Sequence, residues 1–343
     1  MTENQFIQEL EHALDRLPVE ERKDIMQDFR EYFANGRADG KSDRIIASEL
    51  GEPQAIAKEL VDSFDFSQPE FSTLNIDISK DKFDGVDIEI ENGNLVISPS
   101  ADGKMHVDIA DKNYKQQLTV DIVNRALVIS LKEEIKLWGI FSITRSMNTP
   151  TLNVQLPDKL YEKIEINSEN GSITGERLSA TVFELEAENG STDFTHIGAG
   201  SLTVNSTNGD ISLTSIQAKQ IEAETENGQL KLQDVQSAKV NVVSANGDIL
   251  LKDVDGDVIA QTDNGRVQHA AFHLDRTIQL ETDNGSILLE TKKQPENATI
   301  RAEVDWGSIS VFGSKDTKTV FGSGHHSIDL RSDNGSITVK LID

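Results

Sequence analysis

The chain has 343 residues, with 33 Lys plus Arg against 59 Asp plus Glu, a formal net charge of −26. Such a surface repels nucleic-acid phosphates and anionic lipid headgroups. It has no cysteine, which excludes disulfides, thiol catalysis and thiolate metal sites. The opening run MTENQFIQELEHALDRL has no basic start and no unbroken apolar stretch, so it does not read as a signal peptide. No run approaches the roughly 18 consecutive apolar residues of a membrane span. The expected location is cytoplasmic, with attachment at the membrane only through a partner.

Residues 1–66 read as a small four-helix domain. Thr2 is an N-cap, followed by Phe6, Leu10, Leu14 and Leu17 at helical spacing. After Pro18, a stripe of Ile25, Phe29, Tyr32 and Phe33 runs to Asn35-Gly36, an expected C-terminal stop. Ser42 caps a short helix with Ile45, Ile46 and Leu50, closed by Gly51; Pro53 opens the last, with Ile56, Leu60 and Phe64 inward. The segment carries eight basic and sixteen acidic residues, so it lacks the basic face of a DNA reader and is expected to bind protein. The set Leu17-Pro18, Glu21-Arg22, Phe29, Tyr32-Phe33, Gly36, Gly40 and Leu50-Gly51-Glu52-Pro53 resembles the HAAS (DUF1700-like) helical signalling domain. That resemblance implies docking to a regulator or a membrane protein.

Past a linker at 67–72 the period changes from helical to alternating. Asn-Gly pairs fall at Asn170, Asn189, Asn208, Asn227, Asn246, Asn264, Asn284 and Asn334, with Trp306-Gly307 in an equivalent place. Successive spacings of 19, 19, 19, 19, 18, 20, 22 and 28 mark a repeat architecture. Apolar residues lie six and four before each Asn (Ile164 and Ile166, Phe183 and Leu185) and commonly three and five after it (Ile211 and Leu213, Leu230 and Leu232). Two before it stands a small residue such as Ser168, Thr225 or Ser244. Each unit is a strand, an Asn-Gly corner and a strand with one apolar face. Antiparallel hairpins on type I′ turns satisfy this pattern. So does a two-layer parallel β-solenoid of about 19 residues per unit. The solenoid is preferred, because its two apolar rows cover each other and its corner amides stack.

Residues 73–157 read as an irregular β lead-in or cap, in which VDIEIENGNLVIS repeats the unit around Asn92-Gly93, and 158–343 as the regular repeat. The run LNVQLPDKLYEKIEINSENGSITG and the later TDNGSI and SDNGSI turns resemble the Toastrack (DUF4097) family, which also carries an adhesin label. The resemblance implies a role in bacterial envelope-stress signalling. The fold class expected is therefore mainly β, a solenoid-like strand repeat behind four helices.

Chemistry is sparse. Glu169, Glu188, Glu226, Asp263, Asp283, Asp305 and Asp333 immediately precede the corner, and where that place is not acidic, Asp210 and Asp248 follow two residues after the Asn. Recurrence at every unit argues for a solvated turn row over a cation strip or a glycosidase-like carboxylate pair. His325-His326 point to opposite faces of a strand and make a poor chelate. No catalytic, metal or cofactor residue is therefore assigned. The one unusual apolar stretch, 137–143, contains Trp138, Ile140 and Phe141; it reads as a buried connection or end cap, or else as a partner-docking loop. The function expected is a non-enzymatic signalling or scaffold protein, with a surface adhesin or glycan binder as alternative and a β-helix carbohydrate enzyme third. Self-association through the solenoid ends is also expected, the last coil at Leu341-Ile342 being open.

Overall fold

The computed structural model describes residues 1–64, 73–74, 82–110, 116–133 and 149–342, apart from the side chains of Glu20, Glu21, Asp24, Ser63, Thr73 and Leu74. Trp138, Ile140 and Phe141 lie outside the described residues, as does the linker 67–72.

The helical segment forms α1 (Glu3–Ala13), α2 (Val19–Ala38), α3 (Asp43–Leu50) and α4 (Pro53–Ser63). Thr2 closes a capping box: its hydroxyl accepts from the Gln5 N–H at 3.4 Å, and Gln5 Oε1 accepts from the Thr2 N–H at 3.1 Å. The apolar stripes meet in one core, where Phe6 packs its ring 5.7 Å from Phe29 and 5.5 Å from Phe33. Asn35-Gly36 is not the stop expected. α2 runs through it and ends at Asp39-Gly40, where Gly40 takes φ +82°. Gly36 is instead a contact residue, since a Cβ there would lie 2.7 Å from Ile46 Cδ1. Helix packing, not turn chemistry, explains that glycine.

The β segment is a parallel solenoid, and we name each coil by its corner residue. Phe183 of the Asn189 coil pairs with Ile164 below and Leu202 above, and Asn189 pairs with Asn170 and Asn208, all in parallel register. The same register continues through Asn227, Asn246, Asn264 and Asn284. Hairpins at the Asn-Gly corners are thereby ruled out. The two predicted apolar rows face each other across the interior: Ile164, Phe183, Leu202, Ile221 and Val240 on one side, Ile211, Leu230 and Ile249 on the other, each fully buried. Full burial of such a side chain contributes about 1.5–3 kcal/mol. Volume is shared between coils. Gly175 stands where its neighbour has Phe194, and a Cβ on it would lie 2.8 Å from that ring.

A second corner, not read from the sequence, closes the five coils from Asn170 to Asn246. Arg177, His196, Ser215, Asp234 and Asp253 sit there with φ between +52° and +57°, one per coil. Behind each comes a third buried row, Leu178, Ile197, Ile216, Val235 and Val254. These stand eight residues after successive corner asparagines, a spacing visible in the sequence once sought.

The lead-in belongs to the same sheet and the same core as the repeat. Gly85–Asn92 pairs in parallel with the Asn170 coil along one edge and with Ala126–Glu133 along the other, so Asn92 marks the next coil down the stack. Thr151–Leu156 continues that outer coil by pairing with Asn94–Pro99. Antiparallel strands Gln116–Val123 and His106–Ala110 flank this end. Chain order is inverted at the other end too. The last strand, His326–Leu341, stacks directly on the Asn284 coil, and the Trp306 coil (Ala298–Val311) lies outside it. The open coil is therefore the one at Trp306, not the one ending at Leu341-Ile342 as expected. It is covered in part by the antiparallel strand Lys318–Val320, and Trp306 is 78% exposed.

Candidate functional site: a corner ladder and an acidic face

The corner begins with a backbone constraint. A Cβ on Gly190, Gly209, Gly228, Gly247, Gly265 or Gly285 would fall well inside 3.0 Å of the carbonyl oxygen of the corner glycine one coil down. Glycine is needed because backbones of adjacent coils nearly touch there. Only Gly171 and Gly190 among the Asn-Gly corners also have φ in the left-handed region, +132° and +128°.

The other corner groups follow from that approach. From Gly209 to Gly285 the glycine carbonyl at the narrow edge accepts from the buried hydroxyl two residues before the next asparagine. Thr225 donates to Gly209 O at 3.1 Å, Ser244 to Gly228 O at 3.1 Å, Thr262 to Gly247 O at 2.9 Å and Thr282 to Gly265 O at 2.8 Å. Ser168 and Ser206, in the same row, have no such partner among the described groups. The asparagine side chains then bond along the stack. Nδ2 of each donates to Oδ1 of the one below, at 3.0–3.1 Å, from Asn170 on Asn92 through to Asn334 on Asn284. One end of this amide ladder is Asn92, which donates to Glu133 at 3.0 Å; the other is Asn334, beyond which the corner residue is Trp306.

The relocating carboxylates have two distinct roles. Asp210 Oδ1 accepts from the Gln229 N–H and Asp248 Oδ1 from the Arg266 N–H, both at 2.8 Å, tying one coil to the next. Burial raises the Asp248 pKa, but hydrogen bonds from the Arg266 side chain and backbone outweigh it and hold the carboxyl below its usual range. The acids before the corner point outward. With Glu89, Glu186 and Glu224 they line a shallow groove of about 530 Å³ that crosses coils 92 to 227 and includes Glu91, Glu169, Glu188 and Glu226. Charges one strand apart, about 4.8 Å, repel by roughly 0.9 kcal/mol in water. The repulsion shows at Asp87, whose pKa is raised by burial and then by Glu165 and Glu89. Lys163 bridges part of the face, 2.7 Å from Glu165 and 2.8 Å from Glu184, and those bonds raise its own pKa.

The acids just before the corner, Glu169, Glu188, Glu226, Asp263 and Asp283, are all exposed and recur coil after coil. Among the described residues no group of three or more His, Asp or Glu is placed to hold a metal ion. His325 and His326, expected on opposite faces of a strand, instead meet ring to ring at 4.9 Å, edge to face, because the strand begins only at His326. A buried histidine escaped the sequence reading. His269 lies fully buried in the row of Leu251 and Leu289; neither ring nitrogen reaches good hydrogen-bond geometry, and only a weak contact with the Val254 backbone is near. Burial pushes its pKa down to about 4; the Arg276 guanidinium adds to the effect and the Val254 backbone only partly offsets it. Such a group is sealed from substrate. It is a cost carried by the core.

Residues 5–59 match the HAAS family model and residues 83–340 the Toastrack DUF4097 model. No curated protein matches the chain. Among solved structures, a "putative adhesin" from Bacteroides fragilis is 17% identical over 80% of this chain and 97% of its own, at a TM-score of 0.44. A "putative cell adhesion protein" from Clostridium sporogenes is 13% identical over 80% of this chain and 98% of its own, at 0.23. The family match spans the lead-in coil and the repeat alike, and on it the chain belongs to the Toastrack DUF4097 family.

Proposed function

We propose that the chain is a non-enzymatic signalling or scaffold protein of the envelope-stress type. Its helical domain docks a regulator or a membrane protein, and its β repeat presents an extended surface to further protein. One observation carries this reading: the acidic face repeats the same groups coil after coil, which suits multivalent contact and gives no single place for chemistry. On the helical domain Val19 and Ile45 are 57% and 51% exposed and offer an apolar footing for a partner.

The test uses the full chain as bait against Ile45→Asp and a face variant carrying Glu186→Gln, Glu188→Gln, Glu224→Gln and Glu226→Gln. Each should keep its fold by circular dichroism and lose a defined set of partners identified by mass spectrometry. Partner sets unchanged in both variants would defeat the scaffold reading. Binding on a glycan array would favour the adhesin alternative, and glycan hydrolysis the enzymatic one.

A further inference from the structure

The inversion of coil order at the Trp306 end divides the solenoid unequally. Coils up to Asn284 add in chain order from Asn170 onward, each stacking on the one that precedes it in the chain. The Trp306 coil breaks that rule. Among the described strands it pairs with Lys318–Val320 and with His326–Leu341, and not with the Asn284 coil that precedes it in the chain. Residues 298–341 thus form a module of two coils whose whole strand contact with the body runs through His326–Leu341.

We infer that this module exchanges between two copies of the chain, so that each body is completed by the terminal module of the other. The interface it uses is apolar and specific. Ile328 and Leu330 pair with Ile278 and Leu280, Ile337 and Val339 with Ile287 and Leu289, and all are at most 2% exposed. Polar groups fix the register: Asn334 donates to Asn284 at 3.1 Å and Ser332 to Gly285 O at 2.9 Å. A second copy offers every one of these groups in the same order, so exchange rebuilds each contact and alters only the connector. That connector is the segment 292–297, which makes no strand and spans roughly 20 Å when extended. Its ties to the body include Asp275 Oδ1, which accepts from the Glu296 and Asn297 N–H groups at 2.9 and 2.7 Å. Reciprocal exchange satisfies the body of each copy, so the product closes as a pair.

The chain has no cysteine, which makes the test direct. Gln279 on the body and Asp329 on the module are register partners on adjacent parallel strands, within disulfide reach. A full-length chain carrying both Gln279→Cys and Asp329→Cys should close the bond on oxidation; failure to do so overturns the register and the inference with it. Two full-length single variants, Gln279→Cys and Asp329→Cys, are then mixed, incubated and oxidised. The expected result is a disulfide-linked heterodimer that accumulates with incubation. The comparison pair is Thr174→Cys mixed with Asp193→Cys, which are register partners in interior coils. Heterodimer yield from the 279/329 pair no greater than from that pair overturns the exchange.

Discussion

Replacing His269 by leucine should stabilise the protein, and by more as the solution is acidified. His269 occupies a row whose neighbours are Leu251 and Leu289, with no ring nitrogen in good hydrogen-bond geometry and only a weak contact to the Val254 backbone. At neutral pH the substitution removes buried unsatisfied polar atoms, a gain of about 1–3 kcal/mol. The pH dependence comes on top. The unfolded imidazole takes up its proton near the ordinary value of 6.5, whereas in the fold it resists protonation down to about 4. Across that window the unfolded state binds more protons, so stability is lost as pH falls from about 6.5 towards 4. By pH 4.5 the loss attached to this one group is about 2 to 3 kcal/mol, against almost none at pH 7.5. Urea unfolding followed by circular dichroism, at pH 7.5 and 4.5, measures the difference between the two proteins. Carboxylates titrating over the same range affect both alike and cancel. The advantage of His269→Leu should widen by about 2 to 3 kcal/mol on acidification. An advantage equal at the two pH values, or a less stable leucine variant at pH 7.5, would refute the account of this site.

Gly228→Ala should cost about 1–3 kcal/mol or more in urea unfolding, because its Cβ meets the Gly209 carbonyl. Gly228→Asn should cost at least as much, whereas a glycine kept only for left-handed φ would tolerate asparagine. Asn227→Ala breaks the bonds to Asn208 and Asn246, each 3.0 Å, and should cost about 1–2 kcal/mol by the same measurement. Thr262→Val leaves the Gly247 carbonyl without its 2.9 Å donor and should lower stability by about 1–3 kcal/mol, with the backbone spectrum unchanged. On prolonged incubation at mildly alkaline pH, mass spectrometry should find deamidation first at Asn334. No asparagine follows it in the ladder, while Asn227 has its Oδ1 held by Asn246.

Much of the architecture was legible because it repeats. The apolar rows flanking each Asn-Gly appeared in the sequence as a period of about 19, and the interior they form is the one expected. The second corner was missed for a local reason: Arg177, His196, Ser215, Asp234 and Asp253 share a left-handed conformation but no chemistry, so only the apolar residue behind them carried the signal. Gly36 misled in the opposite sense. Its place after Asn35 imitates a helix stop, yet what it answers is Ile46 on a neighbouring helix.

The corner asparagines illustrate the division best. Spacing and parity alone determine that a strand, a turn and a strand recur with one face buried, because side chains alternate along any strand. They also determine that the acids recur with the turn, which speaks against a single active site. Whether each turn reverses the chain or passes it to the next layer is not a local property. It depends on which strand accepts the backbone hydrogen bonds, and only the packed structure decides that in favour of parallel stacking. The same holds for the terminal coils. The Trp306 and Asn334 units read as successive turns of one series, but the shared register lets either one stack on Asn284. Tertiary structure places the later unit inside the earlier one, since a full amide and hydroxyl contact is available at Asn334 and none at Trp306.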